Sequence, residues 1–456
     1  MTWSIGDSPI RALVPRGRGH QFVQYADSCS GVPDRVEASR HQQVTDVLRR
    51  LTPAPEFISF PGDAVMDGGE RAQWDHWIDQ EVAWARQRDI PILQATSNHN
   101  TYDDNSTDVY RSVWPNLPQN GPDGQQGLAY YLRFEDLLYI SLHQPDPAWE
   151  MGNGMQRGVA DAEAAWLTSV IDAHRDVEHI VVAGHYPVFP VNGYREAPQW
   201  CFTRGAGAQL WELLRKNGVT AYLCSHVIAF DVQSHDGILH ITSGGAGTAY
   251  GPGGAMPGPP EYLHAVQMAL DRQGLRYHVL DVHGRIRESL SWPFPEPSAD
   301  WRTGAVETPG TLTPDRMLVL KADETGHGRE MAEGAMRPGP YRDYIAWLVS
   351  EDGRFRFGID CAVDRFTLEL ELDGVGRQRW VGPTADCGTQ ISIELALHPG
   401  MGPGGMLYRH NGNSRWSSME SSSASGLESY SWPTRVATPS SLIQVQHQVI
   451  PLDRPA

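Results

Sequence analysis

The sequence lacks long apolar runs and contains few cysteines. No apolar stretch reaches the roughly 18 residues that a membrane-spanning helix needs, and the first 20 residues lack the apolar segment of a signal peptide. Five cysteines in 456 residues are an odd, sparse set, unlike the dense, even sets of small secreted scaffolds. We therefore expect a soluble cytoplasmic protein with reduced thiols and no membrane partner. A bridge between Cys361 and Cys387 stays open if the protein is exported.

Positive charge is also scarce. The chain has 37 Lys and Arg against 55 Asp and Glu, which gives a net charge of −18. Such a field repels polyanions at long range, so we expect no nucleic-acid partner. A small anion is not excluded, because a cation bound in a cleft acts at short range. The 15 Trp, 16 Tyr and 11 Phe provide ample material for buried cores.

Apolar periodicity indicates an α/β domain over residues 1–292. Amphipathic spacing predicts helices at 34–51, 70–88, 161–174 and 206–216. Short apolar runs, typical of buried strands, predict strands at 22–26, 57–60, 90–95, 179–183 and 221–224. A hairpin at 128–142 and strands at 238–243, 275–282 and 286–290 complete the domain, with 244–260 as a glycine-rich surface loop.

The rest of the chain has a different pattern. Residues 293–315 are rich in proline and predict a linker. Residues 316–456 show period-two alternation, which favours a C-terminal all-β sandwich domain as an accessory unit.

Five of the predicted strands are each followed by residue types that bind metals. They lead into Asp27, Gly62-Asp63, Asn98-His99, His185 and His226, in chain order. In open α/β sheets functional groups gather beyond the carboxyl ends of the strands, so these side chains are expected to converge. Carboxylate, amide and imidazole groups suit zinc, iron or manganese.

The ordered segments YADSC, PGD, SNHN, GHYPVF, CSHVIAFDVQ and ITSGGAGT, spread over residues 20–290, carry a family resemblance. The sequence resembles the calcineurin-like metallophosphoesterase superfamily, nearest to the purple acid phosphatase-like members. The resemblance implies a ββ-sandwich flanked by helices. It also implies a two-metal site that activates water for attack on a phosphoester.

The same resemblance implies one complete metal position and one incomplete one. Asp63 would bridge the ions, and Asn98, His185 and His226 would complete the first position. The second position departs from the family pattern at three places: the Asp-x-His motif ends in Cys29, the second His of Gly-His-x-His is Ile228, and the tyrosine position holds Met66. One ion is therefore expected, and the second depends on Asp27, Asp63 and Cys29.

Two alternatives remain open at the second position. A Cys29 thiolate is a good ligand for zinc or iron, but a free cysteine at a strand end is also a common apolar filler. Asp231 or His235 could replace the missing histidine, although both are more simply interpreted as solvated hairpin residues.

His99 is the predicted catalytic residue. The resemblance implies that this position protonates the leaving group or stabilises developing phosphoryl charge. The next residue, usually acidic and orienting, is Asn100, which can accept a hydrogen bond but adds no negative charge. Ser97 replaces a family glycine and is expected to constrain the turn without touching the chemistry.

The leading hypothesis is metal-dependent hydrolysis of a small organic phosphoester, either a monoester or a diester. The loops at 101–126, 186–204 and 244–260 would shape the pocket. One alternative is a catalytically silent or repurposed protein that binds through its β-sandwich, where Trp380, Trp416 and Trp432 could stack on a ligand. Another is metal-dependent chemistry on a non-phosphate substrate. The oligomeric state is not readable.

Overall fold

The computed structural model describes residues 8–144, 159–189, 201–202, 204–235, 237–248 and 262–292, together with the strands of the C-terminal part. Strands β1 to β14 are Ile10–Arg11, Gly19–Gln24, Leu51–Thr52, Phe57–Phe60, Ile92–Gln94, Tyr130–Phe134, Leu137–Ser141, His179–Ala183, Ala221–Cys224, Phe230–His235, Ile238–Ser243, His264–Asp271, Gly274–Asp281 and Ile286–Trp292. Helices α1 to α6 are Val36–Leu48, Arg71–His76, Ala83–Gln87, Asp104–Val113, Asp161–Ala173 and Arg204–Lys216. A π-helical turn, Trp77–Glu81, lies between α2 and α3.

The first sheet has six strands in the order β14-β13-β12-β2-β4-β5. Strands β2, β4 and β5 are parallel, with Ile58 paired to Val23 on one side and to Ile92 on the other. Their carboxyl ends therefore meet at one edge of the sheet, and the loops that leave those ends lie next to one another.

The second sheet contains a run in the order β10-β11-β9-β8-β7-β6. Strands β7, β8, β9 and β11 are parallel, whereas β6 and β7 form a hairpin with a left-handed residue, Glu135, at its turn. The carboxyl ends of β8 and β9 lead into the segments of His185 and His226.

The two sheets share one apolar core. The rings of Phe22 and Phe57 stack with centroids 4.6 Å apart, and Phe57 meets Tyr139 of the second sheet edge-on at 5.6 Å. The Tyr139 hydroxyl also lies 2.8 Å from Ser59 Oγ. Helix α1 packs in this core, and α5 and α6 contribute to a second cluster with the other face of β7 and β8. The prediction of mixed α/β sheets with helices is confirmed.

Several predicted elements agree with the structure and others do not. The strands predicted at 57–60, 179–183, 221–224 and 238–243 have those bounds. The strand predicted at 22–26 starts and ends earlier, the helix predicted at 70–88 is divided by the π turn, and β10, β12 and α4 were not predicted. The prediction of a surface loop is wrong for Gly244 to Gly247. These residues are buried, and Ala246 N donates to Ala26 O of the loop that follows β2. Residues 249–261 lie outside the described part.

Beyond Trp292 the structure gives strands β15 to β25: Arg302–Thr303, Arg316–Glu324, Ala346–Ser350, Phe355–Ala362, Arg365–Leu372, Gly376–Thr384, Ile391–Leu397, Met406–His410, Ser417–Met419, Pro433–Ala437 and Ile443–Pro451. They run in the orders β15-β25-β16-β21-β22-β23 and β20-β19-β18-β17-β24, and β23 pairs with β10. The β-sandwich domain and the boundaries at 293 and 316 stay predictions. The side chains of Cys361 and Cys387 lie outside the described residues. No described helix has the length and apolar character needed to span a membrane.

Candidate metal centre

The first group of possible ligands surrounds the imidazole of His185. Its Nε2 lies 2.7 Å from Asn98 Oδ1, 3.0 Å from His226 Nδ1 and 3.5 Å from Asp63 Oδ2. All four side chains are buried. Lone pairs brought this close need a shared proton or cation between them. The structure thus brings together the four side chains expected at the first metal position.

The opposite edge of the His185 ring determines how the ring is oriented. Its Nδ1 lies 2.9 Å from Pro61 O and 3.0 Å from Ser225 Oγ, and Ser225 Oγ itself donates to Pro61 O at 2.6 Å. An Nδ1–H that donates to this carbonyl leaves the Nε2 lone pair directed at the other ligands. Metal-binding histidines commonly have such a partner behind the ring.

A second group combines Cys29, Asp63 and His99, with one ligand atom of each lying within 4.8 Å of the others. Asp63 therefore belongs to both groups, which is the placement that a bridging carboxylate requires. Asp27 is in neither group among the described residues. Its Oδ2 instead accepts the backbone N–H of His226 at 3.0 Å.

The electrostatics of the centre favour a cation. Burial, reinforced by the charge of Asp63, raises the pKa of Asp27 to about 7. Burial works against ionisation of Asp63 as well, but His185, His99 and His226 together hold its pKa well below the usual range. Burial and the two carboxylates raise the pKa of the Cys29 thiol. A bound metal ion would reverse the effect on the thiol, because it deprotonates a coordinating cysteine.

His185 responds to the same carboxylates in the opposite sense. Burial alone would lower its pKa, yet the charges of Asp63 and Asp27 and the hydrogen bond with Asp63 raise it above its ordinary value. The two carboxylates therefore favour a positive charge at this position. A metal ion would take over this charge and leave the ring neutral.

Backbone strain is concentrated at the centre. The described residues include seven non-glycine residues with a left-handed backbone, and four of them belong to the candidate centre: Asp27, Cys29, Asp63 and His226, with φ of 62°, 39°, 54° and 66°. Each such residue costs on the order of 1–3 kcal/mol and persists only where its surroundings impose it. Clusters of this kind are typical of functional sites.

His99 is partly exposed, unlike the other candidates. Its backbone N–H donates to Asp63 Oδ1 at 3.2 Å, and its Nδ1 lies 2.8 Å from Met66 O. The next residue, Asn100, makes its described hydrogen bonds elsewhere. Asn100 accepts from Ala64 N at 3.0 Å and donates to Val65 O at 3.2 Å, so it supports the loop that carries Asp63.

Other expectations near the centre are corrected or completed by the geometry. Ser97 accepts the backbone N–H of Asp63 at 2.8 Å, a supporting role that the sequence did not reveal. Asp231 is buried in β10, so its interpretation as a solvated hairpin residue is wrong, and neither metal group of the described residues includes it. The side chain of His235 lies outside the described part. Ile228 is buried and has no ligand atom.

Comparison with known proteins agrees with this arrangement. The chain is 35% identical over 87 residues to human tartrate-resistant acid phosphatase type 5 and 33% identical over 88 residues to the rat protein. The resemblance to calcineurin-like metallophosphoesterases is confirmed. The matched stretch is 19% of this chain and 25% of each of these phosphatases, so the chain spans about a quarter of the length of the curated relatives it matches. No family model matches the chain.

Solved structures of this superfamily align with a larger part of the chain. The purple acid phosphatase PPD1 from yellow lupin seeds aligns with a TM-score of 0.45 at 13% identity, covering 61% of this chain and 54% of that one. A structure of PhoD aligns with a TM-score of 0.43 at 9% identity, covering 62% and 70%.

The donor set fits a transition metal. Two imidazoles, a carboxylate and an amide oxygen form a mixed nitrogen and oxygen shell, which suits zinc, iron or manganese. A thiol next to the shared carboxylate would favour a softer ion at the second position.

Proposed function

We propose that the protein is a metal-dependent hydrolase of phosphoesters that acts on a small organic substrate. The observation that supports this most is the pair of ligand groups that share Asp63. Paired ion positions with a common carboxylate suit the attack of water on a phosphoester, because both the nucleophile and the phosphoryl oxygens need positive charge nearby. The resemblance to acid phosphatases agrees with this chemistry.

In this proposal Asp63, Asn98, His185 and His226 would hold one ion, and Asp63 with Cys29 and Asp27 would hold a second. His99, the third member of the group of Cys29 and Asp63, is kept for proton transfer. The ions would supply the charge that acidifies a water nucleophile and polarises the phosphoryl group. Pro61 and Ser225 keep His185 oriented from behind.

His99 is assigned the role of general acid toward the leaving group. With Nδ1–H donated to the Met66 carbonyl, Nε2 is the ring atom that would exchange a proton with the substrate. Its partial exposure allows contact with a substrate, whereas the buried ligands would meet only the ions and the reacting phosphoryl group.

The proposed function is tested with His185→Ala and His226→Ala, and with His283→Ala, an exposed histidine in a turn, as the control. Metal content by elemental analysis and turnover of a phosphomonoester and a phosphodiester are measured for each. We expect both ligand variants to lose bound metal and to lose at least about 100-fold in turnover. Even mutation of a residue that only hydrogen-bonds to a metal ligand lowers metal affinity or activity by about 10- to 100-fold. Full metal content and unchanged turnover in both would contradict the proposal.

A second measurement separates His99 from the metal ligands of the first position. His99→Asn should leave the metal content of that position unchanged while lowering kcat by about 10²- to 10⁴-fold, the usual contribution of a general acid. The loss should be smaller for a nitrophenyl ester than for an alkyl ester, because nitrophenolate departs without a proton. Equal losses for both esters would exclude the acid role. Stoichiometric metal without turnover of either ester would favour the binding or non-phosphate alternatives.

A further inference from the structure

The loop that carries Asp27 and Cys29 is supported from behind by a buried carboxylate. Glu81 Oε2 accepts the Ser30 hydroxyl at 2.6 Å, and Oε1 accepts the Gly31 N–H at 2.9 Å. Glu81 is only 4% exposed, so water cannot replace these bonds without opening the structure. A charged acceptor in such a position makes stronger hydrogen bonds than a neutral one.

His41 holds Glu81 in this position. Its Nδ1 lies 2.6 Å from Glu81 Oε2, the side chain is fully buried, and the ring stacks on Trp77 with centroids 5.8 Å apart. His76 Nε2 approaches Glu81 Oε1 to 3.8 Å from the other side. Burial would raise the pKa of Glu81, but the hydrogen bond and charge of His41 lower it below its ordinary value. The carboxylate is therefore ionised and anchored.

The π-helical turn contacts the loop at two points, one on each side of Cys29. Glu81, the last residue of the turn, binds Ser30, and Trp77, its first residue, donates from Nε1 to Ser28 Oγ at 3.1 Å. Cys29 lies between these two serines with a left-handed backbone, φ 39°. π turns within helices are frequently found at functional sites.

We propose that Trp77 and Glu81 are positioning residues that hold Cys29 toward Asp63 and thereby determine how tightly the second ion binds. The inference rests on the proposed function, because it assumes that Cys29 is a ligand. None of the described hydrogen bonds of Trp77 or Glu81 goes to the other ligand group around His185. The two residues should therefore affect one ion position and leave the other intact.

The test is a cobalt(II) titration of the full chain. A cysteine thiolate bound to cobalt produces a charge-transfer band in the near ultraviolet, whereas nitrogen and oxygen ligands contribute only weak visible absorption. Cys29→Ser identifies the part of the band that belongs to Cys29 rather than to the four other cysteines of the chain. The number of bound ions is counted by elemental analysis.

The variants are Trp77→Phe, which keeps the ring but removes the N–H, and Glu81→Gln, which keeps the size but offers one acceptor oxygen instead of two. We expect the cobalt affinity reported by the Cys29 band to fall by about 10- to 100-fold in each. Binding at the His185 group should be unchanged. Asp136→Asn is the control, since it weakens an ion pair with His20 at the amino ends of the strands.

The inference would be overturned if both variants bound cobalt with wild-type affinity, as measured from the Cys29 band. If Glu81→Gln does not fold, Trp77→Phe decides alone, because it leaves the buried ion pair in place. A wild-type protein that hydrolyses esters and binds cobalt at His185, but shows no Cys29 band, would refute the inference and leave the proposed function standing. A wild-type protein that binds no cobalt at all would refute both.

Discussion

The backbone of Gly62 lies against the ligand His185, and replacing this glycine by alanine should damage the centre. Its φ is +100°, and an added Cβ would lie 2.5 Å from Ser97 Cβ and 2.7 Å from His185 Nδ1. Neither neighbour can move freely. Ser97 Oγ holds the Asp63 N–H, and His185 Nδ1 faces the Pro61 carbonyl.

The decrease in the free energy of unfolding expected for Gly62→Ala has two parts. A left-handed backbone with a Cβ costs about 1–2 kcal/mol, and each buried hydrogen bond broken by the displaced neighbours costs about 1–3 kcal/mol more. Gly17→Ala is a matched control, because Gly17 has a φ of +104° and nothing within 4 Å of an added Cβ. The difference between the two variants therefore measures the contacts alone and should reach at least about 1 kcal/mol.

The assay is denaturant unfolding followed by tryptophan fluorescence, with the metal content of each purified variant. We expect Gly62→Ala to be the less stable and to bind less metal, while Gly17→Ala keeps wild-type metal content. Equal destabilisation by both variants, with metal content unchanged in each, would refute the placement of His185 and Ser97 against Gly62.

Two further predictions concern pH. The hydrogen bond with Glu56 and, despite burial, the one with Asp136 raise the pKa of His20. The stability that protonated His20 contributes is therefore complete below about pH 6.5 and is lost as the pH rises through the raised pKa. His20→Gln should make the thermal stability less dependent on pH over this range, and parallel wild-type and variant curves would contradict the prediction. Burial raises the pKa of Glu163 from 4.5 to about 8, which costs stability as the pH rises between those values. Glu163→Gln stays neutral, so at pH 9 its free energy of unfolding should exceed that of the wild type by up to about 5 kcal/mol, at 1.4 kcal/mol per pKa unit. Thermal unfolding should show little difference at pH 4, and equal effects at both pH values would contradict the prediction.

The sequence predicted best the parts of the fold that are buried on both faces. Strands β4, β8 and β9 are short apolar runs in the middle of parallel sheets, and such strands appear in a sequence as nearly continuous hydrophobic segments. Because the ligands follow these strands directly, the topology places them together once the strands are found. The grouping of Asp63, His185 and His226 could therefore be anticipated without coordinates.

The π turn could not be predicted from periodicity. The spacing of residues 70–88 suits one helix, and the wider turn at Trp77–Glu81 introduces no unusual residue type. Its cause lies elsewhere in the chain, because Trp77 and Glu81 contact Ser28 and Ser30, about 50 residues earlier. A pattern within one segment contains no information about such a distant partner.

The support of His99 shows a different limit of sequence reasoning. The family resemblance places an acidic orienting residue directly after this histidine, where the chain has Asn100, but the group that faces His99 Nδ1 is the backbone carbonyl of Met66. A main-chain oxygen is the same for every residue type, so the identity of residue 66 could not have predicted this contact with His99. The same fact explains how this site can lack an acidic residue beside His99: a neutral carbonyl selects the Nδ1–H tautomer as a carboxylate would, while leaving Asn100 available to hold the loop of Asp63.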